Sequence, residues 1–286
     1  MTALFRKSED PLSVAMQPAV AVKLPADRPV LRHLAEEVPV ALVFDGTSAG
    51  VMMASPTDIK DLALGFALTE GIVTSVSEIR DIEIVAVPAG VEARVWLKHE
   101  RSRELLRRRR VTAGPVGGGL CGFESLEQAT RQLRPVGARA LRLPIETVRA
   151  ATEVLRAHQP LHDQTGSTHA AGFLLAQEGI VLAREDVGRH NAMDKLIGAL
   201  ARKNLPPEQG AFVLTSRISV ELVQKCAMSG CGFMIAVSAP TSHAVRIAED
   251  AGITLAAFAR GTDFELLTHP FRIAAAGDQR RCRARV

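Results

Sequence analysis

The second half of the chain shows the clearest hydrophobic pattern, in which short apolar runs alternate with amphipathic segments. Three of the runs are almost wholly apolar, which is typical of strands buried on both faces. The segments between them carry apolar residues at helical spacing. The predicted strands are 211–215, 233–237 and 253–258, and the predicted helices between them are 219–229 and 242–251. Strands that alternate with helices predict a parallel sheet with right-handed crossovers.

The stretch before these strands predicts a helix, a hairpin that turns across Glu178-Gly179, and a second helix. Glycine is a common turn residue and supports the hairpin. The predicted helices are 144–158 and 191–203, and the predicted hairpin strands are 169–176 and 180–184. We therefore expect an α/β domain over residues 136–286.

Residues 29–135 are expected to form a smaller N-terminal α+β domain that ends in a glycine-rich loop. A helix is predicted to begin at Ser55, because serine is a good N-cap and Pro56 suits the first helical position. Alternating apolar residues between 82 and 97 predict a hairpin. Residues 1–28 show no sustained period and are expected to form a flexible arm.

The glycine-rich segment, residues 111–124, holds five glycines and one cysteine, Cys121. We expect a mobile loop here, because glycine has high backbone entropy and the segment has no apolar period. An exposed thiol on such a loop, with its pKa lowered by Arg107–Arg110, can attack sulfur or carry a persulfide. The alternative is that Cys121 is structural, as most single cysteines are. The other cysteines are expected to be structural or to lie in a basic tail: Cys226, Cys231 and Cys282.

Polar segments follow each of the three predicted parallel strands. In an open α/β sheet, ligands bind beyond the carboxyl ends of the strands. Hydroxyls, guanidiniums and helix N-termini are expected to converge there, and such groups favour phosphate. Alternatively, Ser219 and Thr241 only cap their helices, although capping does not account for Arg217 and Arg260. The segments are 215–217, 238–241 and 260–263.

Residues 185–195 are dense in polar and titratable side chains and join a predicted strand to a predicted helix. They include Asp186, Arg189 and His190. These side chains either contact a ligand or brace the entry of the helix, and the sequence leaves both possibilities open.

Composition argues against nucleic-acid binding. Ten Phe, one Trp and no Tyr in 286 residues leave few stacking platforms for single strands. The net charge of +4 equals that of residues 99–110 alone, which favours a local anionic ligand or an acidic partner. No P-loop and no dinucleotide fingerprint occurs in the sequence.

A zinc deaminase is a further possibility, because Thr168-His169-Ala170-Ala171 is followed by Cys226 and Cys231. Ala171 stands where the acid/base glutamate is needed, and the cysteines are not spaced as C-x-x-C, so no metal is expected.

No signal peptide is evident, and the uncharged stretch 226–245 is too polar for a membrane span. Four cysteines are too few for a disulfide framework, and we expect a cytoplasmic protein.

Five short motifs occur in order along the chain. They are GLCGFE at 119–124, TGSTHAA at 165–171, EDVGRHNAMDK at 185–195, TSRIS at 215–219 and FARG at 258–261. Together they resemble the FdhD family of sulfur carrier proteins, the accessory sulfurtransferases of formate dehydrogenase. The resemblance runs from about residue 38 to 273, and its most specific part is the segment 186–195.

The resemblance implies a sulfurtransferase that takes sulfur as a persulfide from a cysteine desulfurase. It implies transfer of that sulfur to the molybdenum bis(molybdopterin guanine dinucleotide) cofactor, required for formate dehydrogenase activity. The persulfide would form on Cys121. The cofactor-binding residues would be Phe258, Ala259, Arg260, Gly261, Thr262 and Asp263.

The resemblance also implies a homodimer and a larger domain similar to cytidine deaminases, with a mixed sheet and helices on both faces but without zinc chemistry. One position departs from the family pattern. Many relatives carry C-x-x-C in the glycine-rich loop, and Gly118 stands at the first cysteine position, which leaves Cys121 alone. The alternative function is therefore a non-covalent chaperone that binds the molybdenum cofactor and moves no sulfur.

Overall fold

The computed structural model describes residues 15–23, 28–98, 133–137, 141–261 and 263–274. Cys121, Arg107–Arg110, Cys282 and Thr262 lie outside the described residues. The described ranges contain fourteen strands, β1–β14, and six α-helices, α1–α6. The fold is mixed α/β.

A six-stranded sheet forms the larger part of the fold, in the order β13-β12-β11-β10-β8-β9. β10, β11 and β12 are parallel. β8 pairs antiparallel with β10, β9 with β8, and β13 with β12. The predicted parallel strands and the β8–β9 hairpin are thus confirmed within a mixed sheet. The strands are β8 His169–Leu175, β9 Gly179–Asp186, β10 Ala211–Leu214, β11 Phe233–Ala236, β12 Thr254–Arg260 and β13 Asp263–Thr268.

Side chains that alternate along this sheet enter two separate cores. Phe212 and Leu214 of β10 pack with α4, α5 and α6, whereas Ala211 and Val213 pack with α2. Helices therefore cover both faces, as expected, and the likeness to cytidine deaminases stays a prediction. The helices are α2 Ile145–Arg156, α3 Pro160–Thr165, α4 Arg189–Lys203, α5 Val220–Ser229 and α6 Ser242–Asp250.

A smaller four-stranded sheet precedes it, in the order β4-β3-β6-β5 with β3 and β6 parallel. Val40, Leu42 and Phe44 alternate along β3 and share a core with α1. The elements are β3 Val38–Phe44, β4 Thr47–Ala54, α1 Ile59–Thr69, β5 Ile79–Val87 and β6 Gly90–Leu97. An α+β unit is found here as expected, and the domain boundaries at 28 and 135 stay predictions.

Residues 16–23, which were expected to belong to a flexible arm, form a strand instead. β1 (Met16–Lys23) pairs antiparallel with β2 (Arg28–Ala35) along its whole length. The expectation failed because Pro18 and Pro29 argue against strands, and because Val20 and Leu31 are exposed at 78% and 66% instead of alternating with buried positions. Two further short strands, β7 (Leu143–Pro144) and β14 (Ile273–Ala274), pair in parallel.

The two sheets are joined by a close crossing of α1 and α4. A Cβ atom at Gly65 of α1 would lie 1.8 Å from the Asp194 carbonyl oxygen, and one at Gly198 of α4 would lie 1.9 Å from the Asp61 carbonyl oxygen. Only glycine allows the two backbones to approach this closely. The crossing fixes the start of α4 beside the end of β4. None of the helices in the described ranges has the length and apolar character that a membrane span requires.

Candidate functional site

The polar segments that follow β10, β11 and β12 lie side by side at one edge of the large sheet. Arg260 Nε donates a hydrogen bond to the Val237 carbonyl at 3.2 Å, which ties the end of β12 to the end of β11. Ile218 N donates to the Ala239 carbonyl at 3.2 Å, and Thr241 N donates to the Ile218 carbonyl at 3.0 Å. The strand order therefore brings the three predicted segments together.

Phe258 has an unusual backbone conformation at this edge. Its φ is 52°, in the left-handed region that bulky residues avoid, and the residue is 45% exposed. The pairing of β12 with β13 is irregular between Ala257 and Arg260, so Phe258 sits in a bulge. Such strain costs on the order of 1–3 kcal/mol and occurs most often at functional sites. The bulge thus presents an aromatic face to solvent next to Arg260.

The other residues of this segment differ in accessibility. Arg260 and Asp263 are exposed and lie opposite each other in the backbone ladder on the two sides of the β12–β13 turn. Gly261, with φ of 59°, makes that turn possible. Ala259 is buried on the α2 side, and its carbonyl accepts a hydrogen bond from Thr152 Oγ1 at 3.1 Å. Among the described residues of this segment, the exposed side chains that a ligand can reach are therefore those of Phe258, Arg260 and Asp263.

The two hydroxyls at this edge that could cap helices, Ser219 and Thr241, have different roles. Thr241 caps α6, since its Oγ1 accepts from Ala244 N at 3.2 Å. Ser219 makes no capping bond with its side chain and donates to Glu221 Oε2 at 3.0 Å instead. Capping thus explains Thr241 but not Ser219.

Asp186 braces the fold. It is fully buried, and its Oδ2 lies 2.6 Å from Lys195 Nζ. It also accepts hydrogen bonds from Ser55 N at 3.0 Å, Gly188 N at 2.8 Å and Asn191 Nδ2 at 2.9 Å. With so many partners, Asp186 positions the start of α4 and is not available to a ligand.

Ser55 takes part in this brace, and the prediction that it caps a helix is wrong. α1 begins at Ile59 after Asp58, which makes no side-chain capping bond. The Ser55 hydroxyl accepts from Val187 N at 3.1 Å, and the Ser55 carbonyl accepts from Lys195 Nζ at 2.9 Å. Ser55 therefore makes a tertiary contact with a residue more than 130 positions away in sequence instead of capping α1.

His190 faces away from this brace, toward α5. Its Nε2 lies 2.9 Å from Glu221 Oε2 and 3.3 Å from Ser219 Oγ. The hydrogen bond from His190 is the main cause that lowers the pKa of Glu221 from 4.5 to about 2. Glu221 therefore stays a carboxylate at neutral pH.

His169 completes the polar edge; the sequence singled it out only as part of a possible zinc motif and not as a contact for an anionic ligand. It begins β8, and its Nδ1 lies 3.5 Å from Thr215 Oγ1 at the end of β10. Burial lowers the pKa of His169, and the nearby charge of Arg189 lowers it further. Pairing of β8 with β10 is the signal that could have placed His169 beside Thr215.

The described cysteines belong to the core, as expected. Cys226 Sγ donates to the Cys231 carbonyl at 3.2 Å, and both side chains are fully buried. Burial raises the pKa of the Cys226 thiol well above its usual value, so it is protonated and unreactive. Within the described ranges, no three His, Cys, Asp or Glu side chains come together in a group that could hold a metal ion. Cys121 cannot be placed, because it lies outside these ranges.

Comparison with known proteins identifies the family. Residues 35–274 match the FdhD/NarQ family. The chain belongs to this family. A family member from Bordetella bronchiseptica named sulfur carrier protein FdhD is 49% identical over 243 residues, which are 85% of this chain and 88% of that protein. Another from Agrobacterium fabrum, with the same name, is 46% identical over 242 residues, 85% of this chain and 89% of that protein.

A solved structure supports the fold as well. The crystal structure of a protein described as a formate dehydrogenase accessory protein from Desulfotalea psychrophila is similar, with a TM-score of 0.70 and 25% sequence identity. The match covers 92% of this chain and all of that one. The resemblance to the FdhD family noted in the sequence is thus confirmed, and the roles of single residues stay predictions.

Proposed function

We propose that this FdhD/NarQ family member is a sulfur carrier that serves formate dehydrogenase. The observation that carries the proposal is the similarity over most of the chain to proteins named sulfur carrier protein FdhD. The similarity to a protein described as a formate dehydrogenase accessory protein supports formate dehydrogenase as the enzyme that this protein serves. A homodimer and a cytoplasmic location are part of the proposal.

Cys121 is the proposed carrier of sulfur. Its thiolate attacks the outer sulfur of a persulfide on a cysteine desulfurase, so that the sulfur–sulfur bond of the donor breaks and a new one forms on Cys121. The desulfurase leaves as a thiolate, and the outer sulfur keeps its proton. This exchange needs no oxidant, because one disulfide-type bond replaces another.

The molybdenum bis(molybdopterin guanine dinucleotide) cofactor is the proposed acceptor. When sulfur is transferred, the persulfide bond breaks, Cys121 leaves as a thiolate, and the outer sulfur gives up its proton to solvent as it bonds to molybdenum. The molybdenum of the acceptor must be in its reduced Mo(IV) state, because its oxidation to Mo(VI) supplies the two electrons that turn the outer sulfur into sulfide. The cofactor binds at the carboxyl edge of the large sheet, where the exposed side chains have the matching chemistry. The Phe258 ring can stack on a guanine, and the Arg260 guanidinium suits a phosphate.

Mass spectrometry and enzyme activity test the carrier role together. Full-length protein is incubated with a cysteine desulfurase and cysteine, and the peptide that contains Cys121 is expected to gain about 32 Da, one sulfur atom. Cys121→Ala should abolish the gain and leave formate dehydrogenase inactive in cells that depend on this protein. Cys282→Ala, which removes another of the chain's thiols, is the matched control and should leave both readouts unchanged.

The same experiment separates the carrier from a non-covalent chaperone. Gly118, at the position where many relatives have a second cysteine, is the feature that favours a chaperone. A chaperone would support normal formate dehydrogenase activity after Cys121→Ala and would gain no mass. That result would contradict the proposed persulfide relay.

A further inference from the structure

Arg189 carries a buried hydrogen-bond donor that nothing in the described part of the chain accepts. Its Nε is shielded from solvent and has no partner there. Leaving a buried donor unpaired costs on the order of 1–3 kcal/mol, and more for a charged group. Buried polar atoms in folded proteins nearly always have a partner. A guanidinium nitrogen in this position therefore indicates an acceptor that occupies the site in the working protein.

Arg189 belongs to a cluster of titratable side chains around His169, which pairs with Asp186 across β8 and β9. Arg189, His162 and His190 all lie close enough to His169 to act on its charge. Three carboxylates are also near, but each already has a partner. Asp186 is paired with Lys195 at 2.6 Å, and Glu221 is paired with His190 at 2.9 Å. Glu185, the remaining neighbour, accepts from Leu161 N and His162 N at 2.8 Å each and from Thr168 Oγ1 at 3.0 Å.

The start of α4 also favours an anion at this position. α4 has fifteen residues, and its N-cap Gly188 provides no side-chain capping bond. Its first turn contains no Asp or Glu and begins with Arg189 and His190. Cations at this end oppose the helix dipole, whereas an anion is stabilised by it and by the first free N–H groups.

We propose that Arg189, His169, His190 and the first turn of α4 bind a tetrahedral oxyanion of the phosphate class. The site is separate from the Phe258–Asp263 segment. His169 is on β8, and β8 lies three strand positions from β12 in the sheet. At about 4.8 Å between neighbouring strands, the two strands are about 14 Å apart. The oxyanion is either a phosphate group of the guanine dinucleotide bound along the same edge, which rests on the proposed function, or free inorganic phosphate.

Titration of the full-length protein with inorganic phosphate tests the site, by calorimetry and phosphorus NMR in a phosphate-free buffer. We expect saturable binding that weakens at least about tenfold in Arg189→Met, the effect of losing one charge-assisted hydrogen bond. Arg246→Met is the matched control, because Arg246 is exposed on α6. It should bind phosphate as the unchanged protein does.

A second measurement needs no variant and covers the case in which Arg189→Met fails to fold. Imidazole nitrogen signals of His169 and His190 should shift on addition of phosphate, while the signal of His243, exposed on α6, should not. No saturable binding, equal affinity in a folded Arg189→Met, or unmoved His169 and His190 signals would overturn the site.

Titration with GDP distinguishes the two sources of the oxyanion. If a phosphate group of the dinucleotide occupies the site, GDP displaces inorganic phosphate from it. Arg189→Met then weakens the binding of GDP as well as that of inorganic phosphate. If free phosphate is the ligand, GDP and phosphate bind together. Both results support the site. Sulfur loading of Cys121 is read separately, so phosphate binding without loading counts against the proposed function alone, and loading without phosphate binding counts against the site alone.

Discussion

Asp186 and Arg189 show how two charged residues of one motif take opposite roles. Asp186 has an ion pair and several hydrogen bonds and is fully buried, so it positions other residues. Arg189, only three positions further on, keeps an unpaired buried donor within the described residues. No pattern in the sequence distinguishes the two residues. Asp186 has its partners only because folding places Ser55 and Lys195 beside it.

The Glu221–His190 pair predicts a specific pH dependence of stability. Since the pKa of Glu221 is about 2 in the folded protein and 4.5 ordinarily, the unfolded chain binds a proton there first as pH falls. The stability that Glu221 contributes is therefore fully present above about pH 4.5 and is lost as pH falls toward 2. Glu221→Gln should be less stable than the unchanged protein at pH 7, and the gap should close below pH 4.5.

Urea unfolding at a series of pH values measures this gap. Glu208→Gln, at an exposed position in a short 3₁₀ helix, is the control and should follow the unchanged protein at every pH. A gap that stays constant from pH 7 down to 2 would show that Glu221 does not act through its charge.

At the scale of single elements, the sequence predicted α2, α4, α5, α6 and strands β8 to β12 of the large sheet to within about two residues, but it did not predict α3 (Pro160–Thr165) or β13 (Asp263–Thr268). α5 was expected at 219–229 and is found at Val220–Ser229. These elements were predictable because their apolar periods are set by local burial. Ser55 and β1 were not, because a distant carboxylate holds Ser55, and because the exposed β1–β2 ribbon lacks a buried face.

The crossing of α1 and α4 predicts a strong effect of one added methyl group. Gly65→Ala would place a Cβ 1.8 Å from a backbone oxygen of α4, so the helices must separate. We expect a loss of about 3 kcal/mol in the free energy of unfolding, the upper end for over-packing. Gly50→Ala is the control, since a Cβ there meets nothing within 4 Å. Urea midpoints that are equal for the two variants would contradict this close contact.

Three groups of ion pairs join the two sheets across this crossing. Lys195, buried on α4, reaches both Asp186 and the Ser55 carbonyl that follows β4. Asp61 of α1 is paired with Arg184 and Arg202, and Lys225 of α5 with Glu70 and Asp194. Every group connects residues before 71 to residues after 183, so the two units are linked by buried charge as well as by packing.

The candidate site was predictable only as far as strand order determines it. The sequence placed Arg260 and the other strand-end segments at one edge, and the structure brings those segments together. It did not indicate the strained Phe258 or the contact of His190 with Glu221, since both depend on exact backbone paths through a bulge and between two helices. Cys121, the residue on which the proposed function depends most, lies outside the described residues and is tested only by experiment.

Buried charge between the two sheets predicts that they unfold together. Trp96, the only tryptophan of the chain, lies on β6 of the small sheet, so its fluorescence reports that unit, while far-UV circular dichroism reports mainly the helices of the large one. Both signals should give one urea midpoint. Asp186→Asn leaves Lys195 buried without its partner carboxylate and should cost about 3–5 kcal/mol. It should lower both midpoints equally, whereas the exposed control Asp250→Asn should lower neither. If Trp96 fluorescence kept its midpoint while circular dichroism shifted, the sheets would be independent domains, and the ion pairs between them would not couple their folding.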